Sequence, residues 1–298
     1  MLNNPTIAII IINWKKYNLT RNCINSVEKS SFKNVKIILV DNEHQEFKID
    51  KINNKSITHI IKNKKNEGFA KASNQGIRYA LKKKFDYIML LNNDTIIKED
   101  LIELLIDKAN KLNLKIIQPL ILNYDGTKVW SRGGAVNYFF GNFYNLNKPK
   151  TFKYFSNKNE FINWFTGCCI MFKSEVFNNV GLLDENFFAY YEDVDFSLRL
   201  KNHGYKIYLM NDSYLLHLGS ASSKSKNQKD GNLSSYVHYL NIRNHIYLLK
   251  KHLKSFNLIG IIIFQFFKIQ SYVLYFLIRL RFNKLKMVVK GVIDAFKI

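Results

Sequence analysis

Residues 7–14 read IAIIIINW, an unbroken apolar run, β-branched but for Ala8, closed by an amide and an indole. Apolar side chains on both faces of an extended segment suit a strand buried on both sides, as in a parallel sheet covered by helices. Three more strand-length runs follow. Residues 36–40 end at Asp41-Asn42, residues 57–61 follow a polar loop, and residues 86–91 end at Asn92-Asn93-Asp94. Between them, residues 20–30 space Cys23 and Val27 at helical intervals. Asn66-Glu67-Gly68-Phe69 opens a second helix with Ile77, Ala80 and Leu81 on one face and Lys82, Lys83 and Lys84 at its negative end. Strands alternating with helices predict βαβ units and a parallel sheet with helices on both sides.

Ligands of such sheets sit beyond the carboxyl ends of the strands. Here those ends carry Asn13, Asp41-Asn42 and Asn92-Asn93-Asp94. Asn and Asp also form turns and cap helices, but three such ends aimed at one crevice point to a site. No G-x-G-x-x-G follows the first strand and no G-x-x-x-x-G-K-[ST] occurs, which argues against dinucleotide oxidoreductases and P-loop enzymes. Composition agrees with a folded chain: 47% of its 298 residues are hydrophobic, too many for a disordered protein. A formal net charge of +22 draws in phosphates, nucleic acid or anionic lipid, or reflects a compositional bias of the source. Cys23, Cys168 and Cys169 are odd in number, with an adjacent pair ill suited to bridging. The first residues lack the basic start of a secretory signal. Both features lead us to expect a reducing, cytosolic setting.

The second half adds an acidic segment. Residues 161–173, FINWFTGCCIMFK, are apolar and precede a short helix at 174–180 and the turn Gly181-Leu182-Leu183-Asp184. In FFAYYEDVDFSLRLKNHGY, residues 187–205, Glu192, Asp193 and Asp195 fall in the first turn of a helix that Gly204 ends. Acids there favour the helix dipole, and Asp195 with Arg199 makes an i,i+4 pair. Carboxylates beside an aromatic cleft are also suited to general-base work or to holding a cation. His217 closes an apolar stretch as either a metal ligand or a core histidine. Residues 219–232, GSASSKSKNQKDGN, have the composition of a lid or of an idle loop.

These blocks resemble the family 2 glycosyltransferases of GT-A fold, nearest their bacterial rhamnosyltransferase-like branch. The likeness covers about residues 6–250. It rests on Ile9–Trp14 as IIIINW, Val40-Asp41-Asn42, residues 66–77 as NEGFAKASNQGI, Leu90–Asp94 as LLNND, Phe165-Thr166-Gly167, residues 180–188 as VGLLDENFF, Tyr191–Asp195 as YEDVD, Arg199, and His217-Leu218-Gly219-Ser220. The resemblance implies an α/β, Rossmann-like fold with a mixed central sheet and a helical C-terminal appendage, divided as a catalytic domain at 1–231 and a helical region at 232–298. It implies that Asp41 accepts the imide N–H of a pyrimidine base and that Asn13, Asn74 and Asn93 line the same nucleotide pocket. Asp94 stands for the last acid of a D-x-D element holding Mn²⁺ or Mg²⁺ against the donor diphosphate, with Asn92 replacing the first acid and His217 nearby. Asp193 matches the general base of an inverting displacement, with Glu192, Trp164 and Arg243 as acceptor-side or supporting residues. Lys71, Arg243 or the 219–232 segment would add positive charge beside the phosphates.

The expected reaction moves a sugar, rhamnose from a dTDP donor or a hexose from a UDP donor, onto a saccharide or lipid-linked saccharide of a surface polysaccharide such as capsule or lipopolysaccharide. Its rivals are a basic nucleic-acid-binding module and an inactive, membrane-bound scaffold of the same fold. No specific nucleic-acid partner is expected, and the oligomeric state is left open. Residues 232–252 read as a helix with Leu233, Val237, Leu240 and Tyr247 on one face. Residues 255–280 are densely apolar but interrupted by Gln265, Lys268 and Gln270. That pattern favours a peripheral, amphipathic attachment to the inner face of the cytoplasmic membrane over a span, with packing on the catalytic domain as the alternative.

Overall fold

A computed structural model describes residues 4–42, 56–146, 160–219 and 233–298. The chain divides into two units. Met1–Ala135, Asn145–Phe188 and Glu192–Gly219 form the first; Val136–Tyr144, Ala189–Tyr191 and Ser220–Ile298 form the second. The domain boundary expected at 231, like the 220–232 part of the expected lid, lies outside the described residues. The second unit also recruits two short internal segments, which chain order alone does not reveal.

In the first unit the strands are β1 (Ile7–Asn13), β2 (Val35–Asp41), β3 (Ile57–Lys62), β4 (Tyr87–Asn92), β5 (Thr95–Ile97), β6 (Ile116–Asn123) and β7 (Val129–Ser131). After a separate hairpin, β8 (Gly134–Asn137) and β9 (Asn142–Asn145), come β10 (Glu160–Ile162), β11 (Cys169–Lys173) and β12 (Ile207–His217). The large sheet runs β10-β12-β6-β11-β4-β1-β2-β3, with β5 paired to β12 and β7 to β6. β1 to β4 are mutually parallel where they pair, as the alternation with helices predicts. β11 then enters antiparallel between β4 and β6, so the sheet is mixed.

The β1 run is buried on both sides because alternate residues enter different cores. Ile7, Ile9 and Ile11 pack with Cys23, Ile24 and Val27 of α1 (Tyr17–Glu28) and with Leu101 and Leu105 of α3 (Leu101–Leu112). Ala8 and Ile10 pack on the opposite side with Ala70, Ile77 and Ala80 of α2 (Phe69–Lys82). A Cβ at Gly76 would come within 2.6 Å of the Ile10 side chain, so glycine lets α2 approach the sheet. Phe172, Phe177 and Phe196 extend that second core through β11, α4 (Glu175–Val180) and α5 (Glu192–Asn202).

The second unit is built on α6 (Ser235–Lys251), α7 (Leu258–Ile278) and α8 (Phe282–Ala295). Ile242, Ile246, Phe276 and Val288 form its core. Ser234 caps α6, so Leu233, expected on its apolar face, precedes the helix and is exposed, whereas Val237 and Leu240 are buried. Asn244 donates from Nδ2 to the Ala189 and Tyr190 carbonyls, each at 2.8 Å, and the His245 ring stacks on Tyr191. These contacts hold Tyr190 and Tyr191 at φ of +69° and +72°, a region costly for bulky side chains. Arg243, a residue the resemblance assigns to a supporting role, belongs to this unit and lies over the Tyr239 ring while donating to its neighbour Asn244.

Candidate active site

Strand register brings the polar ends together. Asn13 pairs with Asp41 across β1 and β2, and Ile12 pairs with Asn92 across β1 and β4. Asn13 donates from Nδ2 to Asp41 Oδ1 at 3.1 Å, while its own Oδ1 accepts the Thr20 hydroxyl at 2.7 Å. Asn93 donates to that hydroxyl oxygen at 2.9 Å. Three of the expected nucleotide residues are thus linked, through a threonine that the sequence does not single out. Thr20 lies on the buried side of α1, where a hydroxyl gives no periodic signal of its own.

Asn42 accepts the Glu67 N–H at 3.0 Å and donates to Asn66, which draws the α2 entry onto the same edge. There the Phe69 and Ala70 N–H groups donate to the Phe188 carbonyl, satisfying the start of the helix. Gly68 has φ +85°, and an added Cβ would lie 2.6 Å from that carbonyl oxygen. No other residue fits this turn without displacing the backbone.

Two expected residues do other work. Asn74 is fully buried, with its amide donating to the Leu183 carbonyl and to Glu185 and accepting the Leu183 N–H at 3.0 Å. Both amide hydrogens are committed to the 183–185 turn, so Asn74 braces that turn. Trp164 is buried against the Gly134 backbone with its indole N–H on the Ala135 carbonyl, and therefore anchors β8 instead of presenting a platform to an acceptor. Lys71 is paired with Glu67 at 2.7 Å, which compensates its charge locally.

Asp94 and His217, distant in sequence, meet because β5 starts right after Asp94 and its Thr95 pairs with His217 on β12. His217 Nε2 lies 3.0 Å from Asp94 Oδ1, and the Leu218 N–H donates to the Asp94 carbonyl. His217 is buried, packed edge-on against Trp130, and its Nδ1 has no partner among the described residues. The nitrogen that faces Asp94 is Nε2, and one carboxylate with one imidazole nitrogen is an oxygen and nitrogen donor pair that a divalent cation accepts. Among the described residues no cluster of three His, Cys, Asp or Glu completes a cage, so a cation here would keep positions for ligand oxygens.

Asp193 lies in the first turn of α5. Its Oδ2 accepts the Gly167 N–H at 3.0 Å and its Oδ1 the Val194 N–H at 2.8 Å, while the residue stays partly open to solvent. Burial pushes its pKa from 3.8 up to about 6, with the backbone donors pulling the other way. Glu192 is more deeply buried, with one carboxylate oxygen unpartnered among the described residues; burial and the neighbouring Asp193 drive it well above the usual carboxylate range. Of the two carboxyls, burial therefore raises Glu192 the more strongly, and Asp193 is the one that gives up its proton more readily. Asp195, by contrast, is fully buried on Arg199 at 2.9 Å, and Arg199 also holds the Val180 and Leu182 carbonyls, a structural pairing.

The Gly167-Cys168 step connects both ends of the site: the Cys168 carbonyl accepts the Asn92 N–H at 2.8 Å, and the Gly167 N–H donates to Asp193. The three thiols take no part. Burial pushes Cys23 up to about 12 and Cys168 and Cys169 well above the ordinary thiol range, and all three are free.

The mixed sheet, parallel through β1 to β4 and entered antiparallel by β11, has the architecture of the GT-A glycosyltransferase fold. The chain belongs to glycosyl transferase family 2, whose model matches residues 8–181. It is 27% identical over 253 residues to the dTDP-rhamnosyl transferase RfbF of Shigella flexneri, covering 84% of this chain and 81% of that one. It is also 27% identical over 212 residues to the low-salt glycan biosynthesis hexosyltransferase Agl10 of Haloferax volcanii, covering 67% and 63%. Among solved structures, GalNAc-T7 with UDP, GalNAc and Mn²⁺ superposes with a TM-score of 0.63 at 16% identity, over 83% of this chain and 48% of that longer one. The mannosyltransferase PcManGT of Pyrobaculum calidifontis with GDP-Man and Mn²⁺ gives 0.59 at 10% identity, over 99% and 76%. These structural likenesses carry the fold.

Proposed function

We propose that this glycosyltransferase moves a rhamnosyl or hexosyl group from a dTDP- or UDP-linked donor to a saccharide hydroxyl of a surface polysaccharide, with inversion. The acceptor O–H gives its proton to the Asp193 carboxylate as its oxygen bonds to the anomeric carbon. The bond from that carbon to the donor diphosphate breaks, and the nucleoside diphosphate leaves with the electron pair. Asp41, steadied by Asn13, accepts the imide N–H of the pyrimidine; Asn93 and Thr20 complete that wall. Asp94 and His217 would hold a divalent cation, which when bound supplies positive charge to the diphosphate. Glu192, whose acidity burial and the neighbouring Asp193 both weaken, leaves the more exposed Asp193 as the base of the pair.

The observation that carries this reading is the partly open Asp193 carboxylate, joined through the Gly167-Cys168 peptide step to Asn92 at the end of β4, the strand end that Asp94 follows. In this reading the acceptor is a lipid-linked saccharide presented at the inner face of the cytoplasmic membrane, and the enzyme works peripherally there. Its test is a panel of dTDP- and UDP-sugars, with nucleoside diphosphate release as the readout. One donor is expected to be turned over in a Mn²⁺-stimulated reaction. No release from any donor, combined with tight, salt-sensitive retention of oligonucleotides, would replace enzyme by nucleic-acid module.

A further inference from the structure

α7 buries polar side chains on its inward side and exposes a broad apolar face. Lys268 and Gln265, which interrupt the apolar run in the sequence, face inward, where both meet His245 Nδ1 while His245 Nε2 donates to the Gly141 carbonyl. The outward face carries Ile259, Ile262, Phe266, Phe267, Leu274 and Ile278, all exposed, the last at 71%. A helix of a water-soluble domain places these side chains the other way round. α8 adds an exposed stripe of Phe282, Val289 and Ile293, continued by Phe296 just after it. Apolar exposure on this scale marks a surface that is covered in use.

Charge decides between coverings. Residues 233–298 contain eleven lysines and arginines and one acid, Asp294. Pressing two copies of this surface together would oppose like charges, whereas an anionic bilayer offers hydrocarbon to the side chains and phosphates to the bases. At 21 residues α7 is long and apolar enough to cross a bilayer, but its other face is occupied along its length by Lys268, Gln265, Phe276 and their partners on α6 and α8. The helices packed on that side carry Arg243, Lys250, Lys284, Lys286 and Lys290, charges that hydrocarbon does not admit, so α7 lies in the plane of the interface with only its outward face in lipid.

We propose that the outward face of α7 is a membrane-docking surface that lies flat on an anionic leaflet, its side chains entering the acyl boundary and the flanking lysines and arginines meeting lipid phosphates. The biological sense of this surface rests on the transfer reading above, but its measurement does not. The experiment is flotation of the full chain with vesicles of phosphatidylcholine alone or with about one third phosphatidylglycerol, at low and high salt. Wild type is expected to float with the anionic vesicles, more weakly in high salt. Phe266→Glu combined with Phe267→Glu should lower flotation at least tenfold with unchanged thermal unfolding, and Leu274→Glu alone should lower it severalfold.

Three results overturn the proposal: wild type that floats with no vesicle, Glu variants that float undiminished, or light scattering that shows a dimer lost in the same variants while vesicles bind nothing. Donor hydrolysis, assayed without vesicles, separates the two readings. Flotation without turnover of any donor rejects the transfer reading and keeps the surface; turnover without flotation does the reverse.

Discussion

Replacing Asp193 by asparagine keeps the size of the side chain and removes its charge. One of its oxygens accepts the Gly167 N–H and the other the Val194 N–H, and an amide can serve only one of them, at a cost of about 1–2 kcal/mol. Against this stands the burial penalty of the carboxylate. Because its pKa is raised from 3.8 to about 6, the folded state loses stability as pH climbs through that interval, by up to about 3 kcal/mol and less for a side chain that water still reaches. The Asp193→Asn variant carries no such penalty, so at pH 7.5 the two effects nearly cancel and Tm should stay within about 3 °C of wild type. Lowering the pH from 6 towards 4 should then favour the wild type. Activity behaves differently. Loss of the base should lower kcat about 10²- to 10⁴-fold. Wild-type kcat/KM should rise with a midpoint near pH 6, standing at about a tenth of its plateau at pH 5, and the variant's profile should be flat there. The assay is release of nucleoside diphosphate in the presence of acceptor, beside thermal unfolding at matched pH. A D193N enzyme within threefold of wild type, with the same midpoint, would refute the assignment.

Other substitutions probe the rest of the site. Asp94→Ala should reduce the Mn²⁺-dependent part of donor binding at least tenfold; calorimetric titration of the nucleoside diphosphate with Mn²⁺ and with chelator checks this, and equal affinities in wild type under both conditions would dismiss the cation. Gly68→Ala forces a Cβ to 2.6 Å from the Phe188 carbonyl at φ +85° and should cost about 2 kcal/mol or more, read from urea unfolding. Asp195→Ala strips the buried partner from Arg199 and should destabilise the fold by about 3 kcal/mol, so its loss of activity should track its loss of folded protein, unlike that of D193N.

Sequence alone determined the parallel half of the sheet, because β1, β2 and β4 announce themselves by continuous apolar runs that end in amides and acids, and α2 and α5 by periodicity, dipole-favouring charges and terminal glycines. It also marked Asp41, Asp94 and Asp193, since a polar residue at a strand end or in a first helical turn is a local feature. What needed tertiary structure was every pairing across the chain. His217 reaches Asp94 only through the β5–β12 ladder, and Thr20 joins Asn13 to Asn93 only because α1 folds back over the sheet. Asn74 and Trp164 look like ligand residues in one dimension, and in three their N–H groups are tied to backbone carbonyls 109 and 29 residues away. Lys268 shows the same limit from the other side. Hydropathy counts a charge in the middle of an apolar helix, but only packing decides which way that charge points, because burial and hydrogen bonding are properties of neighbours that the chain brings together from afar.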